Sequence, residues 1–102
     1  MRTYISGKIT GLPIERAAEY FETIENKLAE IGHTPVNPMK LHNTLTDKTW
    51  EEFMIEDIKA LFGCDAIFML DNWLDSRGAR IEHTIATNTG KTIFYSNQHN
   101  LF

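Results

Sequence analysis

The 102 residues carry 42% hydrophobic and 24% charged side chains, ordinary values for one globular domain, which excludes a disordered or fibrous chain. Ten basic residues against fourteen acidic ones leave a net charge of −4, the opposite of the balance a duplex-binding protein shows, so no duplex nucleic acid is expected as a partner. The single cysteine, Cys64, excludes an internal disulfide and a cysteine zinc site, and there is no run of about 18 apolar residues to span a membrane. Met1 to Ile5 leads straight into a strand-like run without the apolar core of a signal peptide, and a cytoplasmic setting is expected.

Thr3-Tyr4-Ile5-Ser6, β-branched and aromatic, predicts a first strand ending at Gly7. A loop over Ser6 to Gly11 follows, and Pro13 stands where a helix can begin. Ile14, Ala17, Ala18, Phe21, Ile24, Leu28 and Ile31 recur at steps of three and four, one apolar helix face that Gly32 stops. Thr34 to Asn37 predicts a weak second strand closed by Pro38, and Met39 to Thr46 has no period and predicts a loop. Asp47 is placed to cap a second helix carrying Trp50, Phe53, Met54, Ile58, Leu61 and Phe62 on one side, ended by Gly63. Ala66-Ile67-Phe68-Met69-Leu70 is continuously apolar, as in a strand buried on both faces of a parallel sheet. Asp71 to Arg77 predicts a polar loop, Gly78 to Asn88 a third helix, Lys91 to Tyr95 a fourth strand, and Ser96 to Phe102 a mostly polar tail.

The alternation β-α-β-α-β-α-β argues for α/β architecture: a single-domain, flavodoxin- or Rossmann-like three-layer sandwich with a short, mostly parallel sheet. In such folds ligands sit at the carboxyl ends of the strands, here beside the loops Ser6–Gly11, Asn37–Thr46 and Asp71–Arg77.

Two acids stand where this pattern wants apolar residues. Asp57 lies seven after Trp50, three after Met54 and four before Leu61, inside the apolar stripe of the second helix. Glu82 lies three after Ala79 and three before Ile85, among the inward residues of the third. A buried, unpaired carboxylate costs several kcal/mol or shifts its pKa upward, and breaks of local rules concentrate at functional or strained sites. The plain alternative is that Arg77, Arg80 or a backbone amide pairs with each acid. Two convergent carboxylates suit cleavage of a glycosidic bond, one attacking or stabilising an oxocarbenium-like centre and the other handling protons.

Weaker signals surround these acids. Ser6-Gly7-Lys8-Ile9-Thr10-Gly11 can present amides and hydroxyls to a phosphate or sugar, although it matches neither the dinucleotide nor the P-loop fingerprint, and as a bare pattern it is better explained by a plain strand-to-helix turn. Ser76-Arg77-Gly78-Ala79 is a second candidate anion site, or a simple N-cap by Ser76 or Asp75. Trp73, amid polar residues, is the better stacking candidate, whereas Trp50 is expected in the core. His33, His42, His83 and His99 are scattered without metal spacing and are expected at the surface or as caps.

Tyr4-Ile5-Ser6-Gly7, Asp57 eight residues before Asp65, and Ser76-x-Gly78-x-x-x-Glu82 together resemble the nucleoside 2-deoxyribosyltransferase superfamily, which includes the 2′-deoxynucleoside 5′-phosphate N-hydrolases. Pro35-Val36-Asn37-Pro38, Trp50, Met54-x-x-Asp57-Ile58, Cys64-Asp65 and Trp73-x-x-Ser76-x-Gly78-Ala79-x-x-Glu82 resemble a small phage and bacterial branch described as a domain of unknown function. The resemblance runs from Tyr4 to about Phe94.

It implies that Glu82 is a nucleophile attacking C1′ of the sugar, that Asp57 handles a proton or orients substrate, and that Tyr4 lies close to the sugar. It implies sugar or phosphate binding by Ser6, Gly7 and Lys8, and 5′-phosphate binding by Ser76 and Gly78. The expected activity is cleavage of the N-glycosidic bond of a nucleoside or nucleoside 5′-monophosphate, as hydrolase or deoxyribosyltransferase, with no cofactor and no metal. Exposed apolar residues on so small a sheet, with the family habit, also imply a homo-oligomer. The alternative is a nucleotide-binding module of the same fold without catalysis, in which both acids only accept hydrogen bonds. A receiver-like or flavin-binding domain is a third reading, but a receiver needs an acidic pair after strand one, where Ser6-Gly7 stands.

Overall fold

The computed structural model describes residues 1–42, 47–97 and 101–102. Residues 43–46 of the expected loop and 98–100 of the tail, including His99, lie outside them. The first strand, β1 (Arg2–Ser6), has four consecutive buried residues that divide by alternation, with Tyr4 packing toward one face of the sheet and Ile5 toward the other. Strand β3 (Ala66–Met69) does the same with Ile67 and Met69 against Phe68, as a parallel strand covered on both sides must.

These two strands pair in parallel at the centre of a four-stranded sheet of order β2-β1-β3-β4, flanked by β2 (Thr34–Val36) and β4 (Thr92–Tyr95). All three pairings are parallel, with Tyr4 opposite both Val36 and Ile67. Helix α1 (Ile14–Glu30) covers one face through Phe21, Ile24 and Leu28, which meet Ile5, Phe68 and Leu70. Helices α2 (Trp50–Phe62) and α3 (Arg77–Asn88) cover the other through Leu61, Ala79 and Ala86, against Tyr4, Val36, Ile67 and Met69. The result is the three-layer α/β sandwich that the alternation of elements predicts.

Several local expectations are corrected. Ile14 and Ile31, at the two ends of α1, and Phe62, at the end of α2, are exposed rather than buried. Ile14 and Ala18 border a cavity instead of the sheet. Helix α2 is capped not by Asp47 but by Thr49, whose hydroxyl accepts from the Glu52 N–H at 3.2 Å while the Glu52 carboxylate accepts from the Thr49 N–H at 3.3 Å. This reciprocal box satisfies two orphan amides at once, which one Asp two residues upstream cannot do. Short 3-10 turns stand at Pro38–Lys40, at the start of the expected Met39–Thr46 loop, and at Trp73–Asp75, inside the expected polar loop Asp71–Arg77. The first is capped by Asn37, which accepts from the Met39 N–H at 3.0 Å.

The chain passes from β1 to β2 on one side and then crosses to β3 on the other side of β1, so the carboxyl ends of β1 and β3 form the switch point where such sheets open a crevice. Gly7 sits at that point. A Cβ there would lie 2.6–2.8 Å from the Leu70 side chain, so only glycine lets the loop after β1 pass over the end of β3. Among the described residues no helix is long and apolar enough to cross a membrane.

Candidate functional site

Glu82 lies in the second turn of α3 with its side chain turned inward, and it is 5% exposed. Tyr4 Oη donates to its Oε2 and Ser6 Oγ to its Oε1, each at 2.7 Å. Tyr4 and Ser6 are both on β1, two residues apart, so alternation along the strand points both hydroxyls at the same carboxylate.

Two opposing effects act on that carboxylate. Burial of an ionised carboxyl costs several kcal/mol, and each hydrogen bond to a charged acceptor returns about 1.5–3 kcal/mol. Burial is the larger effect, with the negative charge of Asp57 adding to it. Together they push the Glu82 carboxyl up to about 7 against the downward pull of Ser6 and Tyr4. Burial, then the charge of Glu82, also pushes the Tyr4 phenol well above its ordinary value, so Tyr4 remains a donor at neutral pH.

Glu82 opens onto a cavity of ≈ 830 Å³ at the carboxyl edge of the sheet. Asp57, 9% exposed, lines the same cavity from α2. Burial, the strongest influence, pushes its carboxyl up, while a hydrogen bond and charge from His42 pull it down. The two acids that break the helical stripes therefore meet at one site. Neither is paired by Arg77 or Arg80: Glu82 is held by hydroxyls and Asp57 by His42.

The other expected residues separate into three groups. Tyr4, Gly7, Lys8, Ser76 and Gly78 line the cavity. Ser6 does not line it; it lies beneath, 1% exposed, and supports Glu82. Ser76 is also the N-cap of α3, accepting from the Ala79 N–H at 3.1 Å. Trp73 is corrected: it is not among the lining residues, because its indole stacks on His83 at 4.3 Å and packs against the buried cluster beneath α3. Trp50, expected in the core, forms part of the cavity wall with the Arg77 guanidinium 3.9 Å over its ring. Gly78 makes room for this wall, since a Cβ there would come within 3.0 Å of the Met54 sulfur.

Residues 1–95 match DUF4406, a domain of unknown function. The chain belongs to this family. None of the curated proteins matches it. Among solved structures, this DUF4406 chain is similar to the 2-deoxyribosyltransferase of the psychrotolerant bacterium Bacillus psychrosaccharolyticus, with a TM-score of 0.73 and 18% identity over 93% of this chain and 71% of that one. It is also similar to the 2-desoxiribosyltransferase of Leishmania mexicana, with a TM-score of 0.70 and 18% identity over 93% of this chain and 63% of that one. The DUF4406 chain thus has the nucleoside 2-deoxyribosyltransferase-like fold and spans roughly two-thirds of the length of these two structures.

Sequence reasoning missed two features of this DUF4406 site. One is the Arg77–Trp50 stack, whose partners lie on different helices. The other is His42, expected at the surface or as a cap. It is largely buried at the cavity wall, with Nε2 2.7 Å from Asp57 Oδ1. The pair lies fifteen positions apart in sequence, and no periodicity spans such an interval.

Proposed function

We propose that the chain cleaves the N-glycosidic bond of a nucleoside or nucleoside 5′-monophosphate, with Glu82 as nucleophile and Asp57 as its proton-handling partner. The observation that carries this reading is a buried carboxylate, oriented through both oxygens by Tyr4 and Ser6, facing a cavity that a second carboxyl, itself pushed up by burial, also lines. The fold supports it, since one similar structure is described as a biocatalyst for the synthesis of nucleosides.

In the proposed reaction a Glu82 oxygen bonds to C1′ as the C1′–N bond breaks. The electron pair of that bond stays on the base nitrogen, which takes a proton from Asp57. The burial that raises the Asp57 carboxyl favours its protonated form for this step. A water molecule then bonds to C1′ and displaces Glu82, giving its proton to the Asp57 carboxylate. A second base in place of water makes the same chemistry a transfer. Lys8, Gly7, Ser76 and Gly78 are proposed to hold sugar hydroxyls or a 5′-phosphate at the rim.

The test is base release, followed by chromatography, from ribo- and deoxynucleosides and their 5′-monophosphates, with and without an acceptor base. Free base from wild type and none from Glu82→Ala is the expected result. No release from any substrate overturns the reading, and a thermal shift with nucleotide would then leave a binding module without turnover.

A further inference from the structure

His42, which the reaction above does not use, stands at the centre of a charged cluster that includes Asp57. Its Nε2 is 2.7 Å from Asp57 Oδ1, and its Nδ1 is 2.9 Å from Glu56 Oε2, an ion-pair distance without hydrogen-bond alignment. Glu56 is held in turn by Lys48 Nζ at 2.7 Å. The imidazole packs edge-on against the Phe53 ring, with centroids 4.6 Å apart. Among the described residues, the groups facing it are Asp57 and Glu56 from α2, Phe53 from the same helix, and Lys48 from the segment just before it. Both the imidazole and the Asp57 side chain are 12% exposed, so they meet largely out of water, where a hydrogen bond is stronger and a misplaced group costs more.

The consequence for Asp57 is geometric. One of its oxygens, Oδ1, is committed to His42, and no hydrogen bond among the described residues reaches Oδ2. Because Asp57 lines the cavity, Oδ2 is the oxygen left to meet a ligand there. A carboxylate on α2 alone can rotate about χ1 and χ2; one clamped by a ring braced on Phe53 and Glu56 has its free oxygen aimed.

We propose that His42 is a positioning residue, which holds Asp57 Oδ1 and turns Oδ2 toward the leaving base. The inference rests on the proposed glycosidic cleavage, and it adds a residue that touches neither sugar nor base in that scheme. Fixing an acid in the reactive geometry is worth about tenfold to a hundredfold in rate when its supporting partner is removed.

The experiment compares wild type, His42→Ala and His42→Gln in the base-release assay, with a thermal melt of each. Glutamine can place an amide N–H near the position of Nε2; alanine cannot. Expected are a fall in kcat of about tenfold or more for His42→Ala with KM changed by less than about threefold, and recovery of most of that loss in His42→Gln. An unchanged kcat in His42→Ala overturns the positioning role while leaving the glycosidic reading intact. Equal losses in both variants that track a fall in melting temperature also overturn it, since His42 would then be a packing residue only. An inactive wild type overturns the glycosidic reading and the inference with it.

Discussion

Tyr4 Oη lies 2.7 Å from Glu82 Oε2 across 78 residues of sequence, and Ser6 meets the other oxygen of the same carboxylate at the same distance. One strand thus holds an acid delivered by the last helix. Tyr4→Phe keeps the ring and removes the donor. Because that bond pulls the Glu82 carboxyl down, its loss lets burial push the carboxyl further up. Base release at neutral pH is expected to fall by roughly tenfold or more, the cost of one hydrogen bond to a charged acceptor. The acid limb of the pH profile of kcat/KM should move to higher pH, and an unmoved limb would refute the assignment.

Glu82→Gln is expected to abolish turnover and yet stabilise the fold above neutral pH. The folded carboxyl is raised from 4.5 to about 7, so the folded state binds the proton more tightly than the unfolded chain. The associated stability is fully present below the unfolded value and is lost as pH rises through about 7. Glutamine does not titrate. The stability of Glu82→Gln relative to wild type should therefore grow by roughly 2–3 kcal/mol between about pH 5 and about pH 8. Urea denaturation of both proteins at the two pH values measures it.

Gly7→Ala tests the crossing of the first loop over β3. The added methyl meets Leu70 Cβ and Cγ at 2.8 Å, and Leu70 is fully buried beside Ile5 and Phe68. Neither side can yield cheaply. A loss of about 1–3 kcal/mol in denaturant titrations is expected, with weaker nucleotide binding because Gly7 also lines the cavity.

The two tryptophans should behave oppositely. Trp50 lines the cavity and carries the Arg77 guanidinium over its ring, so Trp50→Ala, which removes that wall and frees Arg77, is expected to raise KM by about tenfold, the order of one lost cation–π contact. Trp73 packs on His83 away from the lining, so Trp73→Ala should cost about 1–3 kcal/mol of stability and leave KM unchanged. Steady-state kinetics and thermal melts on the same two variants separate these outcomes.

What the sequence determined by itself was whatever depends on near neighbours. The order of elements, the doubly covered third strand and the intrusion of Asp57 and Glu82 into apolar stripes all follow from apolar runs, breakers and helical periods read along the chain. The convergence of those two acids on one cavity, the donation of Tyr4 and Ser6 to one carboxylate, and the burial of His42 against Asp57 were decided only by the tertiary structure. So was the placing of Trp50 in the cavity wall and of Trp73 against His83. Periodicity tells which side of its own helix or strand a residue faces. Which distant residue waits there depends on strand order and helix packing, and a hydrogen bond fixed to a few tenths of an ångström has no trace in spacing along the chain.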